Sequence, residues 1–500
     1  MDSPLATRIF RLLFAHETCS SIQTLRSSYS VPLQRRLISS TPARRNDRFD
    51  FDSSSSGDES HWQQRTLFTE DKMEEFKKHP TVTAQTLRTR TIRPRKVKML
   101  MRDFIDDSLY NPNYGYFPRQ AVIFSPGEPF DFPSIPTEND FHKDLYRRYT
   151  QYEDRLDEKD ENAARQLWHT PTELFRPFYG EALARYLVTN YKLTSYPYHD
   201  LLIYEMGAGN GTLMLCVLDY LRDVYPEVYE RTRFRIIEIS SSLAKLQQSQ
   251  LHRDAFAKGH LDKVEIINKS IFDWDTYVSS PCYFMAMEVF DNFAHDAIRY
   301  DPITEEPLQA KVLIDQAGDF YEFYERGLDP LAARFLRVRD AACSSPYNHP
   351  LRTPKIIRKL THSLPFAPNL TQPEFIPTRL MQFFDVLHKY FPAHKLLTSD
   401  FHYLPDTVKG VNGPVVQTRY HRKTIAVTTP LVHQGYFDIL FPTDFAVMEE
   451  MYRAITGKLT RVFTHEDFLR KWAYIEDTQT QNGENPLLSW YKNASVMTTV

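Results

Sequence analysis

Apolar positions recur with two different periods along this chain. Val97, Leu100, Met101, Phe104, Ile105 and Leu109 fall at helical spacing, and Asn111-Pro112-Asn113-Tyr114-Gly115 supplies the turn residues that end the helix. A second apolar helix is expected from about Glu173 to Thr189. From residue 201 the period changes. Short apolar runs at Leu201–Tyr204, Phe234–Ile239, Val264–Ile267 and Tyr283–Met287 alternate with helical stretches at Thr212–Val224 and Ser241–Phe256. Strand alternating with helix predicts an α/β fold, a parallel sheet wound on both faces. Further strands are expected around Lys395–Leu397, Val415–Thr418 and Lys423–Val427, beyond a proline- and aromatic-rich region from 300 to 400.

Polar patterning divides the rest. The first 45 residues carry seven arginines, no lysine, frequent serine and two acids, with an apolar side formed by Ile9, Phe10, Leu12, Leu13 and Phe14. That is the pattern of a mitochondrial presequence, with the mature matrix protein starting between about 38 and 47. Residues 46–96 read as linker: Asp52 to Ser60 is too polar to fold, and every charge from Thr81 to Arg102 is basic. The basic run is either a solvated lead-in or a site for an anionic partner. The folded region is expected over 97–500. It comprises a helical part at 97–195 with an insertion at 125–165, a core at 196–300 and a C-terminal substrate or cap part at 301–500. Within the insertion, Tyr152 to Glu161 alternates in charge as an exposed helix does.

Composition narrows the chemistry. A net charge of −3 excludes a globally basic nucleic-acid binder, so no stable nucleic-acid partner is expected. No apolar run reaches the length of a membrane span. Four scattered cysteines without a CxxC pair give neither a disulfide framework nor a zinc ribbon, and the histidines lack metal spacing. Glycine is scarce, 15 in 500, under half the usual share of about 7%. Three of the fifteen are Gly207, Gly209 and Gly211.

Those three glycines follow an apolar strand ending at Glu205 and precede a helix starting at Thr212. Such a loop lets backbone approach a ligand, and the helix N-terminus offers free N–H groups. The spacing is not G-x-G-x-x-G, the dinucleotide fingerprint. It resembles motif I of S-adenosylmethionine-dependent methyltransferases, whose fold is a Rossmann-like sheet. Glu238, at the end of the second strand, is placed to bind ribose hydroxyls. Asp273 is placed to accept from an adenine amine, with Ile271 or Phe272 packing on the ring; both acids could equally be surface groups. Glu288 and Asp291 follow the fourth strand, and a carboxylate pair suits a guanidinium, whose planar donors bind two oxygens at once. The alternative for this pair is a helix cap and a solvated acid.

Several segments together resemble the MidA-like mitochondrial complex I assembly-factor arginine methyltransferases. Arg102 to Tyr116 is similar to the family's opening helix and N-P-x-x-G-Y-Y turn, and Thr170-Pro-Thr-Glu173 with Gly180-Glu181 to its T-S-P-E and F-G-E segments. Glu205 to Leu213 matches E-x-G-x-G-x-G-T-L, and Glu288 to Asp291 is similar to E-F-F-D. The resemblance implies the cofactor S-adenosyl-L-methionine, held by Glu205, Gly207, Gly209, Gly211, Thr212, Glu238 and Asp273. It implies Glu288 and Asp291 as catalytic residues and Thr170, Glu173 and Asn292 on the acceptor side. The implied reaction is symmetric dimethylation of an arginine on a complex I subunit, supporting assembly. Phe293-Ala294 stands where the family has Leu-Pro, and Asp400-Phe401-His402 where it has D-Y-G. A non-catalytic assembly scaffold and an RNA methyltransferase using the basic run therefore stay open as alternatives.

Overall fold

A computed structural model describes residues 72–159, 165–239, 255, 257–343, 348–364 and 367–500. The expected presequence, the linker up to residue 71 and nearly all of the helix at Ser241–Phe256 lie outside the described residues.

The central sheet has seven strands, numbered in chain order: β1 (Leu201–Met206), β2 (Thr232–Glu238), β3 (Val264–Asn268), β4 (Cys282–Met287), β5 (His394–Phe401), β6 (Thr460–Thr464) and β7 (Ala494–Thr499). Their order is β3-β2-β1-β4-β5-β7-β6. The first five are parallel, and β7 runs antiparallel to both of its neighbours. The winding reverses between β1 and β4, and a ligand crevice opens at such a switch point, beyond the carboxyl ends of the strands. The core does not close at residue 300, as the sequence suggested. The sheet draws its last three strands from 394–499.

Nine helices are needed below: α1 (Met101–Tyr110), α2 (Glu138–Lys159), α3 (Pro171–Leu174), α4 (Phe178–Thr194), α5 (Thr212–Val224), α6 (Lys355–His362), α7 (Thr378–Tyr390), α8 (Phe445–Thr456) and α9 (His465–Trp472). On one face of the sheet, Phe284 and Met497 join Phe383 and Leu387 of α7 and Met448 and Tyr452 of α8 in a single cluster. Alternation along a strand sends Tyr283 and Thr498 to the opposite face, where they meet Thr194 and Tyr186 of α4. The sheet is thus covered on both sides. Helix α4 crosses α5 so closely that a Cβ on Gly180 would lie 2.4 Å from the Cβ of Cys216. Helix α5 itself begins directly after Gly211, a left-handed residue, and stops before Tyr225-Pro226, where an α conformation is disfavoured.

Three expectations need correction. The helix expected from Val97 starts only at Met101, because Val97–Leu100 pairs as a strand with Lys311–Ile314. The helix expected from Glu173 to Thr189 is divided into α3 and α4. Residues 72–96 are folded, not linker: Phe76 stacks on Phe323 at 4.2 Å, and Leu87 is buried. Four cations of the basic run are consumed inside the fold. Arg88 pairs with Asp273, Arg93 donates to the Gln434 carbonyl, Lys98 to the Phe76 carbonyl, and Arg102 to Asp296 and Asp329. An RNA-binding stripe at 88–102 loses those charges.

The region from 296 to 376, unreadable in sequence, completes a second, mainly antiparallel sheet around Pro307–Ile314. Phe320–Arg326 lies along one side of that strand; Val97–Leu100 and Asp296–Tyr300 share the other. A third sheet centres on Val415–Tyr420, between Lys423–Val427 and Asp438–Leu440. The charged helix α2, expected to be exposed, is clasped to that sheet where Arg419 and Arg422 meet Glu153 and Asp154.

Arg102 binds Asp296, a fully buried carboxylate, at 2.6 Å, and Asp329 at 2.5 Å. Replacing the arginine strands a buried charge, which typically costs about 3–5 kcal/mol. Arg102→Ala is therefore expected to lower the unfolding free energy by at least about 3 kcal/mol in urea titration; a loss of under about 1 kcal/mol would mean that this network does not fasten α1 to the second sheet.

Candidate active site

The glycine loop leaves β1 at the switch point. Gly207, Gly209 and Gly211 all have positive φ, of 72°, 54° and 74°, a conformation that side chains resist. A Cβ on Gly209 would lie 2.3 Å from Cδ1 of Ile123, so the N-terminal part of the chain covers the loop closely. Glu173 fastens it: Oε1 accepts from the Thr212 hydroxyl at 2.6 Å and from the Asn210 amide at 3.0 Å. Thr170 caps α3 by accepting from the Glu173 N–H. Thr170 and Glu173, expected on the acceptor side, are therefore tied by their bonds to the cofactor loop.

Glu205 is the loop's unsatisfied group. It is 3% exposed, its Oε2 has no hydrogen-bond partner, and burial alone pushes its carboxyl up to about 8. A buried carboxyl without a partner is costly unless a ligand supplies a donor. The loop therefore fits a ligand that brings hydrogen-bond donors, as a nucleoside bearing an amino-acid tail does. Glu238 is buried at the end of β2, close enough for its charge to act on the Tyr110 hydroxyl. Asp273 stands elsewhere. It is half-exposed and pairs with Arg88 at 2.9 Å.

Beyond β4 the chain passes Glu288 and makes a short turn, Phe290–Asn292, that carries Asp291. Glu288 has φ 54°, strain of about 1–3 kcal/mol for a non-glycine residue and the kind of cost that clusters at functional sites. Asp291 is 3% exposed and its Oδ1 has no partner. The structure adds two carboxylates that the sequence did not single out as site residues. Asp400, at the end of β5, accepts from the N–H groups of Phe290 at 2.7 Å and Asp291 at 3.3 Å, which fixes the turn. Asp438, from the third sheet, accepts from the Asn292 amide at 2.9 Å. Asn292 thus orients Asp438 and, through its carbonyl, receives the Tyr110 hydroxyl at 3.0 Å.

Among the described residues, no lysine, arginine or histidine pairs with any of these four acids. Burial, then mutual repulsion, pushes Asp291 and Glu288 well above the ordinary carboxylate range; burial raises Asp400 and Asp438 to about 7. Tyr179 and Tyr491 are buried close enough to feel the Glu288 charge, and Tyr491 is a second non-glycine residue at positive φ. What this arrangement lacks is a cation.

Other candidate groups are structural. His295 stacks on Phe441 at 3.8 Å, bonds the Phe293 carbonyl, and is driven down to about 3 by burial. The Cys216 thiol is pushed up to about 12, which suits packing and not nucleophilic attack.

A family model described as "Putative S-adenosyl-L-methionine-dependent methyltransferase" matches residues 182–464, more than half of the chain. The Schizosaccharomyces pombe protein named "Protein arginine methyltransferase NDUFAF7 homolog, mitochondrial" is 25% identical over 319 residues, 60% of this chain. The match spans 65% of that relative, just under two thirds of its length. The Saccharomyces cerevisiae protein of the same name is 20% identical over 347 residues, covering 64% of this chain and 77% of its own. A Burkholderia thailandensis crystal structure with S-adenosyl-homocysteine bound aligns over 81% of this chain and 88% of its own, at 14% identity and a TM-score of 0.49.

The raised carboxyls have a consequence for stability. The native state retains protons that the unfolded chain has already lost, so stability falls as pH rises from the ordinary carboxylate range toward 7–8. Without ligands the protein is expected to lose more than about 2 kcal/mol between about pH 5 and about pH 8, and Glu205→Gln to flatten part of that slope. Urea melts across that range check it; stability that rises with pH would mean the acids are ionised and already compensated.

Proposed function

Because the chain belongs to the S-adenosyl-L-methionine-dependent methyltransferase family, we propose that it methylates arginine in a protein substrate. The observation that carries this reading is the buried four-acid cluster, which has no cation of its own and lies beside the cofactor loop. When bound, the cofactor supplies an activated methyl group on a sulfonium. Glu205, Glu238 and the glycine loop hold it, and Glu173 keeps the loop in shape through Thr212 and Asn210.

The acid cluster does the rest. A guanidinium entering it provides the missing positive charge, and its paired N–H groups match two carboxylates at once. Glu288 and Asp291 orient the reacting nitrogen. Asp400 has its oxygens occupied by backbone N–H groups, so it positions the turn without meeting substrate. Methylation leaves the guanidinium cationic and releases one proton. Asp291 is the acceptor for it once the guanidinium has displaced that carboxyl's own proton, since its Oδ1 is free of other bonds. A lysine ammonium would satisfy the charge but not the planar pairing.

The relatives' names support arginine as the acceptor and a mitochondrial location; the motif resemblance alone supports the finer reading of symmetric dimethylation, a complex I subunit as substrate, and the matrix as the site of action. The Arg-rich first 45 residues agree with the location. A scaffold that only keeps the fold has no need of a strained Glu288 or an unpartnered Asp291.

Incubating the wild type with S-adenosylmethionine and matrix proteins should yield methylarginine by mass spectrometry. Asp291→Asn should slow this about 100-fold or more while leaving cofactor affinity within about twofold. Methyl groups found only on RNA, or on lysine or carboxyl side chains, would refute the reading.

A further inference from the structure

Helix α6 is not one of the active-site elements. A surface helix normally buries its apolar stripe and shows its polar side. This one is reversed. Ile356, Leu360 and Leu364 follow one another at four-residue intervals and are 75%, 67% and 61% exposed; Ile357 beside them is 50% exposed. No residue of α6 is buried. The side that meets the protein is the charged one: Arg358 donates to the carbonyls of Pro302 at 3.2 Å and Thr353 at 2.7 Å and pairs with Glu305. Leu351, just before the helix, packs into the core cluster around Phe335. The helix is therefore fastened by an arginine and presents an aliphatic stripe outward.

Charge indicates what the stripe meets. Between Asp340 and Glu374 there is no acidic residue, while Arg352, Lys355, Arg358 and Lys359 are basic, in a chain whose net charge is −3. Lys355 and Lys359 flank the stripe and are exposed, Lys355 also lying 3.6 Å from Glu305. An aliphatic stripe flanked by lysines is the composition of a helix lying in a membrane interface. Protein interfaces are instead depleted in lysine and anchored by aromatic residues. Among the described residues no helix is long and apolar enough to cross a bilayer, so the contact is peripheral.

We propose that α6 docks this protein on an anionic phospholipid surface, with Ile356, Leu360 and Leu364 entering the interface and Lys355 and Lys359 meeting headgroup phosphates. The proposal stands apart from the methyl-transfer reading and does not depend on it.

Co-sedimentation of the full chain with vesicles tests it, using phosphatidylcholine alone and phosphatidylcholine mixed with cardiolipin. Three proteins are compared: the wild type, Ile356→Ser/Leu360→Ser and Lys355→Glu/Lys359→Glu. Because all three keep the Arg-rich N-terminus, only differences between them are read. The serine substitutions fall on exposed positions, and an unchanged thermal unfolding midpoint verifies the fold. Binding to anionic vesicles should drop about tenfold in either variant, and wild-type binding should weaken with added salt. Equal binding by wild type and variants, or equal binding to neutral and anionic vesicles, overturns the proposal. So does the absence of vesicle binding together with loss of a protein partner in the serine variant.

Discussion

Four carboxylates, Asp291, Asp400 and Asp438 buried and Glu288 partly so, repel one another, and the described residues offer them no positive charge. Other buried acids do have a cation: Asp296 has Arg102, Glu374 has Arg339, and Glu153 has Arg419. Glu288, Asp291, Asp400 and Asp438 instead stand together, each close enough to repel a neighbour. Raised proton affinity keeps the cluster foldable, since neutral acids do not repel. A cation entering from outside would convert that cost into binding energy.

Strand register brings this demand next to the cofactor loop. Met206 pairs with Ala286 and Met287 with Ser399, so Gly207, Glu288 and Asp400 leave the sheet at neighbouring levels from β1, β4 and β5. The switch point between β1 and β4 therefore opens on the glycine loop at one wall and the acids at the other. Tyr110 joins the two, because its hydroxyl feels both Glu238 and Asp291 while bonded to the Asn292 carbonyl. A shift in α1, which carries Tyr110, would be felt on both sides.

The parts of this that were legible in sequence are those set by local chemistry. The first four sheet strands and α5 show as apolar runs of the right length, and the glycine triplet marks the loop because glycine is so scarce elsewhere. Glu288 and Asp291 lie three residues apart and could be paired by inspection. Asp400 and Asp438 could not, since they come from β5 and from the third sheet, more than a hundred residues away. Asp400 carried a faint signal as the first residue of the D-F-H segment; Asp438 carried none. The Arg88 partner of Asp273 was not legible, because a strand-end acid looks alike whether it meets a ligand or an arginine. The basic run misled for the same reason, as its partners Asp296, Asp329 and the Gln434 carbonyl are distant in sequence. The strained φ of Glu288 is set by tertiary structure alone.

The most direct test of the central claim is proton release on guanidinium binding. An arginine-containing peptide is titrated calorimetrically, near pH 7, into protein saturated with S-adenosyl-homocysteine, in buffers of different ionisation enthalpy. If the acids wait protonated for a cation, binding should expel protons, a citrulline peptide should expel none, and Asp291→Asn should reduce the number released. Arginine binding without proton release, or equal binding of citrulline, would contradict the account.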